Sequence, residues 1–281
     1  MTTGKLYIVG TPIGNLSDIT FRAVETLKLV HRILAEDTRH TKSLLSHLGV
    51  HGKPMASIEA HVSDERLAHL LSFLEAGESL ALVTDAGMPA VSDPGARFVS
   101  LVRGAGYDIE VIPGPSAVTS AIALSGLVEG PFYFAGFLPR QGGKRTRAIE
   151  RVCQGGTASI LFESPNRLND TLSDLAAKQP QRKVAVCREL TKLHEETVVG
   201  TLEELSALKR EWRGEIVLVL ECVDENVATR ETMNDLDDDA LQKALAGGKS
   251  VRDLADESGL TGQARRSFYA RLLELQRRSQ R

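Results

Sequence analysis

The sequence predicts an α/β protein: two α/β domains followed by a small, helix-turn-helix-like helical domain. Three observations lead there. From Lys5 to Leu124, short apolar β-rich runs alternate with helical patterns, which requires crossover connections and a largely parallel sheet. From about Pro131 the strands come in a different order and include a close pair, so the second sheet should be mixed. From Asp238 to Arg281 only helical spacing remains. A chain of 281 residues is long enough for two domains of ordinary size and a small third.

In order, KLYIVG (5–10) reads as a buried strand and 19–30 as a helix. RILAE (32–36) is strand, 38–48 helix, and 55–60 a short apolar run. DERLAHLLSFLEAG (64–77) is an amphipathic helix that stops at glycine. SLALVTD (79–85) is strand, 94–103 helix, YDIEVIP (107–113) strand and 116–124 helix. The second half has strands at FYFAG (132–136), ASILFE (158–163), KVAVCREL (183–190), ETVVGT (196–201) and EIVLVLEC (215–222). The pair at 183–190 and 196–201 predicts a hairpin, and the polar run 224–237 predicts a linker. The domains are therefore expected at 1–118, 119–226 and 235–281.

Composition narrows the function. Hydrophobic residues make up 42% and charged residues 25%, an ordinary globular balance. Lys and Arg number 34 against 37 for Asp and Glu, so any polyanion site must be a local patch. Aromatic residues, at 5%, are too few for a surface built on base stacking. Cys153, Cys187 and Cys222 are odd in number and lack C-x-x-C spacing, which argues against a disulfide framework or zinc and suits a reducing compartment. No metal site is expected. MTTGKLYIVG is no signal peptide. The longest uncharged run, 111–128, contains Pro113, Gly114 and Pro115, and reads as buried strand, turn and buried helix instead of a span. A cytoplasmic protein without membrane contact is expected.

Four clusters each follow a predicted strand of the first half: GTPIGNL (10–16), EDTRHT (36–41), TDAGMPAVSDPG (84–95) and PGPSA (113–117). Loops leaving the carboxyl ends of parallel strands share one rim, where ligands bind. Each cluster alone also reads as a turn, with Ser92 or Asp93 as N-cap of the helix after it. No loop carries a Walker lysine or G-x-G-x-x-G, so neither a nucleoside triphosphate nor a standard dinucleotide fold is supported.

The runs VGTPIGNLSDIT (9–20), AEDTRHT (35–41), TDAGMPAVSDPG (84–95), IPGPSA (112–117), FESPNRL (162–168) and CRELTKLHEE (187–196) together resemble the tetrapyrrole-methylase superfamily of S-adenosylmethionine-dependent methyltransferases. Within it the match is closest to the branch that methylates the ribose 2′-hydroxyl of a decoding-centre cytidine in 16S rRNA. One departure is visible: the family reads D-A-G-T-P where this chain has Met88, which removes a hydroxyl. The resemblance implies α/β domains of the tetrapyrrole-methylase type, with S-adenosyl-L-methionine in the cleft between them. It also implies a homodimer acting on 16S rRNA within the small ribosomal subunit. Carried over by position, the donor site includes Pro12, Asp85, Ala86, Gly87, Pro89, Ser116 and Ala117. The second domain adds Phe162, Arg188 and Leu190.

A ribose hydroxyl is a weak nucleophile, so a base or a positive neighbour should assist methyl transfer. Glu36, Asp37, Glu189, Lys192, His194 and Glu195 lie on the expected rim. Glu36, Glu189 and Lys192 stand as the catalytic candidates. Asp37 reads as a helix N-cap and His194 as an exposed polar residue. RNA requires positive charge, and PRQGGKRTR (139–147) reads as a flexible basic loop carrying Arg140, Lys144, Arg145 and Arg147. Arg39, Lys42, Arg167 and Lys192 extend that patch. Residues 240–281 hold nine basic and four acidic residues. There, Val251, Leu254, Ala255, Leu260, Phe268, Leu272 and Leu275 should pack inward, with a turn at Gly259. That leaves Arg265, Arg266 and Arg271 facing nucleic acid. Two other readings stay open: a small-molecule methyltransferase of tetrapyrrole type, and a ligand-sensing DNA-binding regulator.

Overall fold

Short strands with crossover helices between them build the first domain, as their spacing requires. In the computed structural model, which describes residues 4–59, 62–154, 156–222, 238–258 and 262–279, these strands are β1 (Lys5–Val9), β2 (Arg32–Ala35), β3 (Met55–Ser57), β4 (Leu80–Val83) and β5 (Asp108–Ile112). They form one parallel sheet in the order β3-β2-β4-β1-β5. Its helices are α1 (Phe21–Leu29), α2 (Thr38–His47), α3 (Asp64–Glu75) and α4 (Ala96–Gly104). Ala23, Leu27 and Leu45 pack on one face with Ile33 and Ala81, while Leu70, Leu74, Phe98 and Val102 pack on the other with Leu34 and Leu82. Strands covered on both faces read as continuous apolar runs, which is why β4 is LALV.

The second domain begins on α5 (Ala117–Ser125), which runs on into β6 (Phe132–Phe137), α6 (Gly142–Gln154), β7 (Ala158–Glu163) and α7 (Pro165–Ala176). The chain continues with β8 (Lys183–Arg188), β9 (Glu196–Thr201), α8 (Leu202–Leu208) and β10 (Ile216–Leu220). The strand order is β6-β7-β10-β8-β9, with β6 parallel to β7 and every other pair antiparallel. The mixed sheet and the β8–β9 hairpin agree with the sequence. Val118 and Ala121 of α5 pack with Ala185, Cys187, Val217 and Val219 of this sheet, so we propose the domain division at the head of α5.

Two expectations are corrected. The run 111–128 is not buried throughout: Val111 is 49% and Leu124 47% exposed, because β5 is the sheet's outer strand and α5 covers the second sheet with one side only. The basic segment is not a loop beyond Gln141, since α6 starts at Gly142 and carries Lys144, Arg145 and Arg147 on its first turns. The Gly142–Gly143 pair masks that helix in a propensity reading.

The C-terminal helices are α9 (Asp238–Ala246), α10 (Val251–Glu257) and α11 (Gly262–Ser279). They share a core of Leu241, Val251, Leu254, Ala255, Phe268, Leu272 and Leu275. The linker at 224–237, the turn at Gly259 and Leu260 lie outside the described residues.

One close approach locks the first sheet's rim. Gly10 follows β1 and Gly114 follows β5, and the Gly10 amide donates to the Ile112 carbonyl at 3.0 Å. A Cβ on Gly10 would stand 2.8 Å from the Gly114 backbone and 2.7 Å from the Met88 sulfur. Gly10→Val should therefore destabilise the protein by about 2–3 kcal/mol, the usual cost of overpacking a filled space. Urea unfolding measures this, and an unchanged midpoint would contradict it.

Candidate active site between the two sheets

Thr11, fully buried at the end of β1, ties the first loop to the third. Its amide donates to the Gly87 carbonyl at 2.9 Å, and the Gly87 amide donates back to the Thr11 carbonyl at 3.1 Å. Its hydroxyl donates to the Thr84 carbonyl at 3.0 Å. The first loop then crosses to the second domain, where the Asn15 amide donates to Thr191 Oγ1 at 3.0 Å. A Cβ on Gly14 would meet the Leu190 carbonyl at 2.9 Å, so only glycine allows this contact without a shift.

Between these contacts lies a cleft of about 390 Å³, within the usual range for small-molecule sites. Ile13, Ala86, Gly87, Met88, Val91, Ser92 and Asp93 line it from the first domain. Ser116 to Val118, Phe137, Phe162 to Pro165, Leu190 and Gly214 to Val217 line it from the other side. Phe162 stands edge-on to Phe134 at 5.0 Å and tilted against Phe137 at 5.5 Å, forming an aromatic wall.

Six of the ten residues named from sequence for the donor therefore share one cleft: Ala86, Gly87, Ser116, Ala117, Phe162 and Leu190. Pro12 and Asp85 line a smaller hollow of about 200 Å³ with Leu16, His40 and His47. Pro89 is buried behind its loop. Arg188 is placed differently from the expectation. Its guanidinium donates to the carbonyls of His194 (3.0 Å) and Arg213 (3.1 Å) and pairs with Glu196 at 3.3 Å, so it braces the loop between β8 and β9.

The catalytic candidates separate in the same way. Lys192 Nζ lies 3.0 Å from both Glu189 and Glu215, and Glu189 also accepts from the Glu215 amide at 3.0 Å. That amide and Lys192 hold the Glu189 carboxyl below its ordinary range. Burial works to lower the Lys192 ammonium, but the hydrogen bonds from its two carboxylate partners leave it raised. Both groups therefore stay charged and form a clamp under Thr191, whose φ is +66°. A carboxylate so held is a poor proton acceptor. Asp37 caps α2, accepting from the Arg39 amide, and His194 is exposed, both as read from sequence.

Glu36 remains in the rim, accepting from the Thr84 hydroxyl at 2.7 Å. Beside it stand Asp85, which accepts from the Asp37 amide at 3.2 Å, and Asp93. The expectation that Ser92 or Asp93 caps the next helix is not met, since α4 begins after Gly95 with no side-chain cap. Burial, together with the charges of Glu36 and Asp85 and against the Thr84 hydroxyl, pushes the Asp93 carboxyl up to about 6. Sequence reading passed over Asp93. The usable signal was a third acid, in SDPG, returning to the rim where Glu36 and Asp85 already lay.

Of the basic residues, Arg140, Lys144 and Arg147 are exposed, between the end of β6 and the first turns of α6. Arg145 is not available: only 12% exposed, it pairs with Asp174 at 2.7 Å and donates to Thr171 Oγ1 at 3.0 Å. Arg167 donates to the Leu138 carbonyl at 2.7 Å. In the tail, Arg265 pairs with Asp256 and Arg271 with Asp238, joining neighbouring helices, so the expectation that both face outward freely is corrected. Arg266 is exposed.

The model of the Tetrapyrrole (Corrin/Porphyrin) Methylases matches residues 5–206. The chain belongs to this family. Proteins called Ribosomal RNA small subunit methyltransferase I are among its relatives. That of Halalkalibacterium halodurans is 45% identical over 81% of this chain and 79% of its own. That of Synechocystis sp. is 40% identical over 97% of this chain and 99% of its own. Solved structures share the fold: uroporphyrin-III C-methyltransferase of Thermus thermophilus, complexed with S-adenyl homocysteine, has a TM-score of 0.56 at 20% identity over 78% of this chain and 97% of its own. Diphthine synthase has a TM-score of 0.59 at 16% identity over 78% of this chain and 90% of its own. Among the described residues, no helix is long and apolar enough to cross a membrane.

Asp93 generates a pH prediction. An aspartate that titrates near 3.8 unfolded and about 6 folded takes up its proton first in the native state, so its ionised form costs stability above pH 6 and nothing below pH 4. Discounted for partial exposure, Asp93→Asn should be about 1–2 kcal/mol more stable than wild type at pH 8. The difference should close by pH 4. Urea titrations at both pH values measure it, and a gap independent of pH would contradict the assignment.

Proposed function

We propose that this chain transfers the methyl group of S-adenosyl-L-methionine to the ribose 2′-hydroxyl of a decoding-centre cytidine in 16S rRNA, within the small ribosomal subunit. The observation that carries the reading is the cleft itself. Its walls are built from the residues by which the chain resembles ribose methyltransferases, and an exposed basic helix start stands in the same domain. The lining fits the donor. Phe162 and Phe137 offer an apolar face to a purine, and the backbone at Ala86 and Gly87 is open to close approach. The donor supplies an activated methyl group. The chain's contribution is to align the hydroxyl with it and to exclude water. Glu36 stays in the proposed catalytic set as the residue that orients Thr84, while Glu189 and Lys192 hold the loop that receives Gly14.

Arg140, Lys144 and Arg147 are the proposed phosphate contacts at the cleft, with Arg266 as a further contact from the tail. A small tetrapyrrole acid needs neither a basic helix start nor a helical tail, so RNA is favoured. The DNA-reader alternative loses support because Arg265 and Arg271 are engaged within the tail. A ribosomal substrate places the protein in the cytoplasm. A homodimer is proposed from the resemblance, and Val111 and Leu124 offer apolar surface for a second copy.

The test is to incubate unmodified small subunits with protein and labelled donor and to map the modified nucleotide by mass spectrometry. Label on the base, on another nucleotide or on no RNA would sink the proposal. Replacing Arg140, Lys144 and Arg147 with alanine should cut methyl transfer at least about tenfold and flatten the salt dependence of RNA binding, leaving donor affinity unchanged. Deleting 238–281 should weaken RNA binding while sparing donor binding. Filter binding across salt concentrations, with calorimetry for the donor, reads both.

A further inference from the structure

Three carboxylates, Glu36, Asp85 and Asp93, gather round Thr84 at the ends of β2 and β4, and they are held differently. The Thr84 hydroxyl donates to Glu36, and the Asp37 amide donates to Asp85. Asp93 alone of the three lines the 390 Å³ cleft, and no cation pairs with it among the described residues. Its backbone is held in place at some cost. Ala90 and Ser92 take φ values of +66° and +64°, which non-glycine residues seldom adopt outside sites that require them. Ser92 lies against the other domain: a Cβ on Gly136, at the irregularity of β6, would come to 2.9 Å from its hydroxyl. The charged groups facing Asp93 are Glu36 and Asp85 from its own sheet, with Glu163 and Glu215 lining the cleft from the second domain.

We propose that Asp93 is the proton acceptor of the methyl-transfer reaction, its carboxylate touching the substrate hydroxyl in the cleft. This rests on the function proposed above. As the hydroxyl oxygen forms its bond to the methyl carbon, the carbon–sulfur bond breaks and its electron pair stays on sulfur. Asp93 takes the hydroxyl proton and later releases it to water. Its raised acidity range, about 6, is that of a base poised just below neutral pH. The carboxylates that are bound to cations, Asp37 by Arg39 and Glu189 by Lys192, are held low and suit structure instead.

The test compares wild type, Asp93→Asn and Asp93→Glu as full-length chains on unmodified small subunits. Asp93→Asn should lower kcat by roughly 10²–10³-fold, with donor and RNA dissociation constants within about threefold of wild type by calorimetry and filter binding. The acid limb of the wild-type pH–rate profile should fall near the titration of Asp93 followed by NMR in the donor-free protein, and it should vanish in Asp93→Asn. Asp93→Glu should recover part of the rate. Turnover of Asp93→Asn within threefold of wild type overturns the inference. So does a loss of donor affinity that matches the loss of rate, because Asp93 then binds the donor cation. A wild-type chain that methylates no ribose in the subunit overturns the proposed function itself, whatever the variants do.

Discussion

The paired bonds between Thr11 and Gly87 are the constraint on which the rest of the site depends. They join the loop after β1 to the loop after β4 in the middle of the rim, and the Thr11 hydroxyl adds a bond to the Thr84 carbonyl. Buried backbone groups must find partners, and here the partners are the two loops themselves. With that seam closed, Ile13 to Asn15 can only project toward the second domain. There Ile13 enters the same apolar cluster as Val118, Ala185 and Val217. The cleft exists because one loop is shared by two cores.

Charge is divided between structure and chemistry by whether a counter-ion is present. On the second domain's rim, Arg188, Lys192 and Arg210 are each matched by carboxylates and fix the segment from Glu189 to Glu196. The buried Glu163 accepts from Thr171 and from the Ser164 amide, and Thr171 in turn receives Arg145, so this network braces the start of α6. Among the described residues Glu36, Asp85 and Asp93 lack such cations, and burial, with the charges of Glu36 and Asp85 adding to it, raises the acid–base range of Asp93. Structural charges thus surround one carboxyl, that of Asp93, whose state can change.

Much of the architecture was legible in the sequence because its period is local. Alternation of buried strands with amphipathic helices announces the parallel sheet, and two β-rich runs five residues apart announce the β8–β9 hairpin. Asp37 read as a cap and proved one, since capping depends on the next few residues alone. Ser92 or Asp93 reads as a cap by the same logic and neither is one, because the turn through Gly95 starts α4 without them. Arg265 and Arg271 looked outward on a helical wheel, yet acids on neighbouring helices capture them. A wheel shows one helix and not its neighbours.

By itself, then, the sequence determined the fold class and the four loops on one rim, because short-range periodicity and contiguous motifs encode them; the resemblance pointed to Ala86, Gly87, Ser116, Ala117, Phe162 and Leu190, which the fold brings to one cleft. Tertiary structure alone decided which charged side chains remain without a cation. It placed Arg188 and Arg145 in braces, made Glu189 and Lys192 a clamp, and turned Asp93 into the cleft. The reason is physical: a charge is defined by what lies within a few ångströms of it, and several of those neighbours lie tens of positions away, as Asp174 does from Arg145 and Glu36 from Asp93.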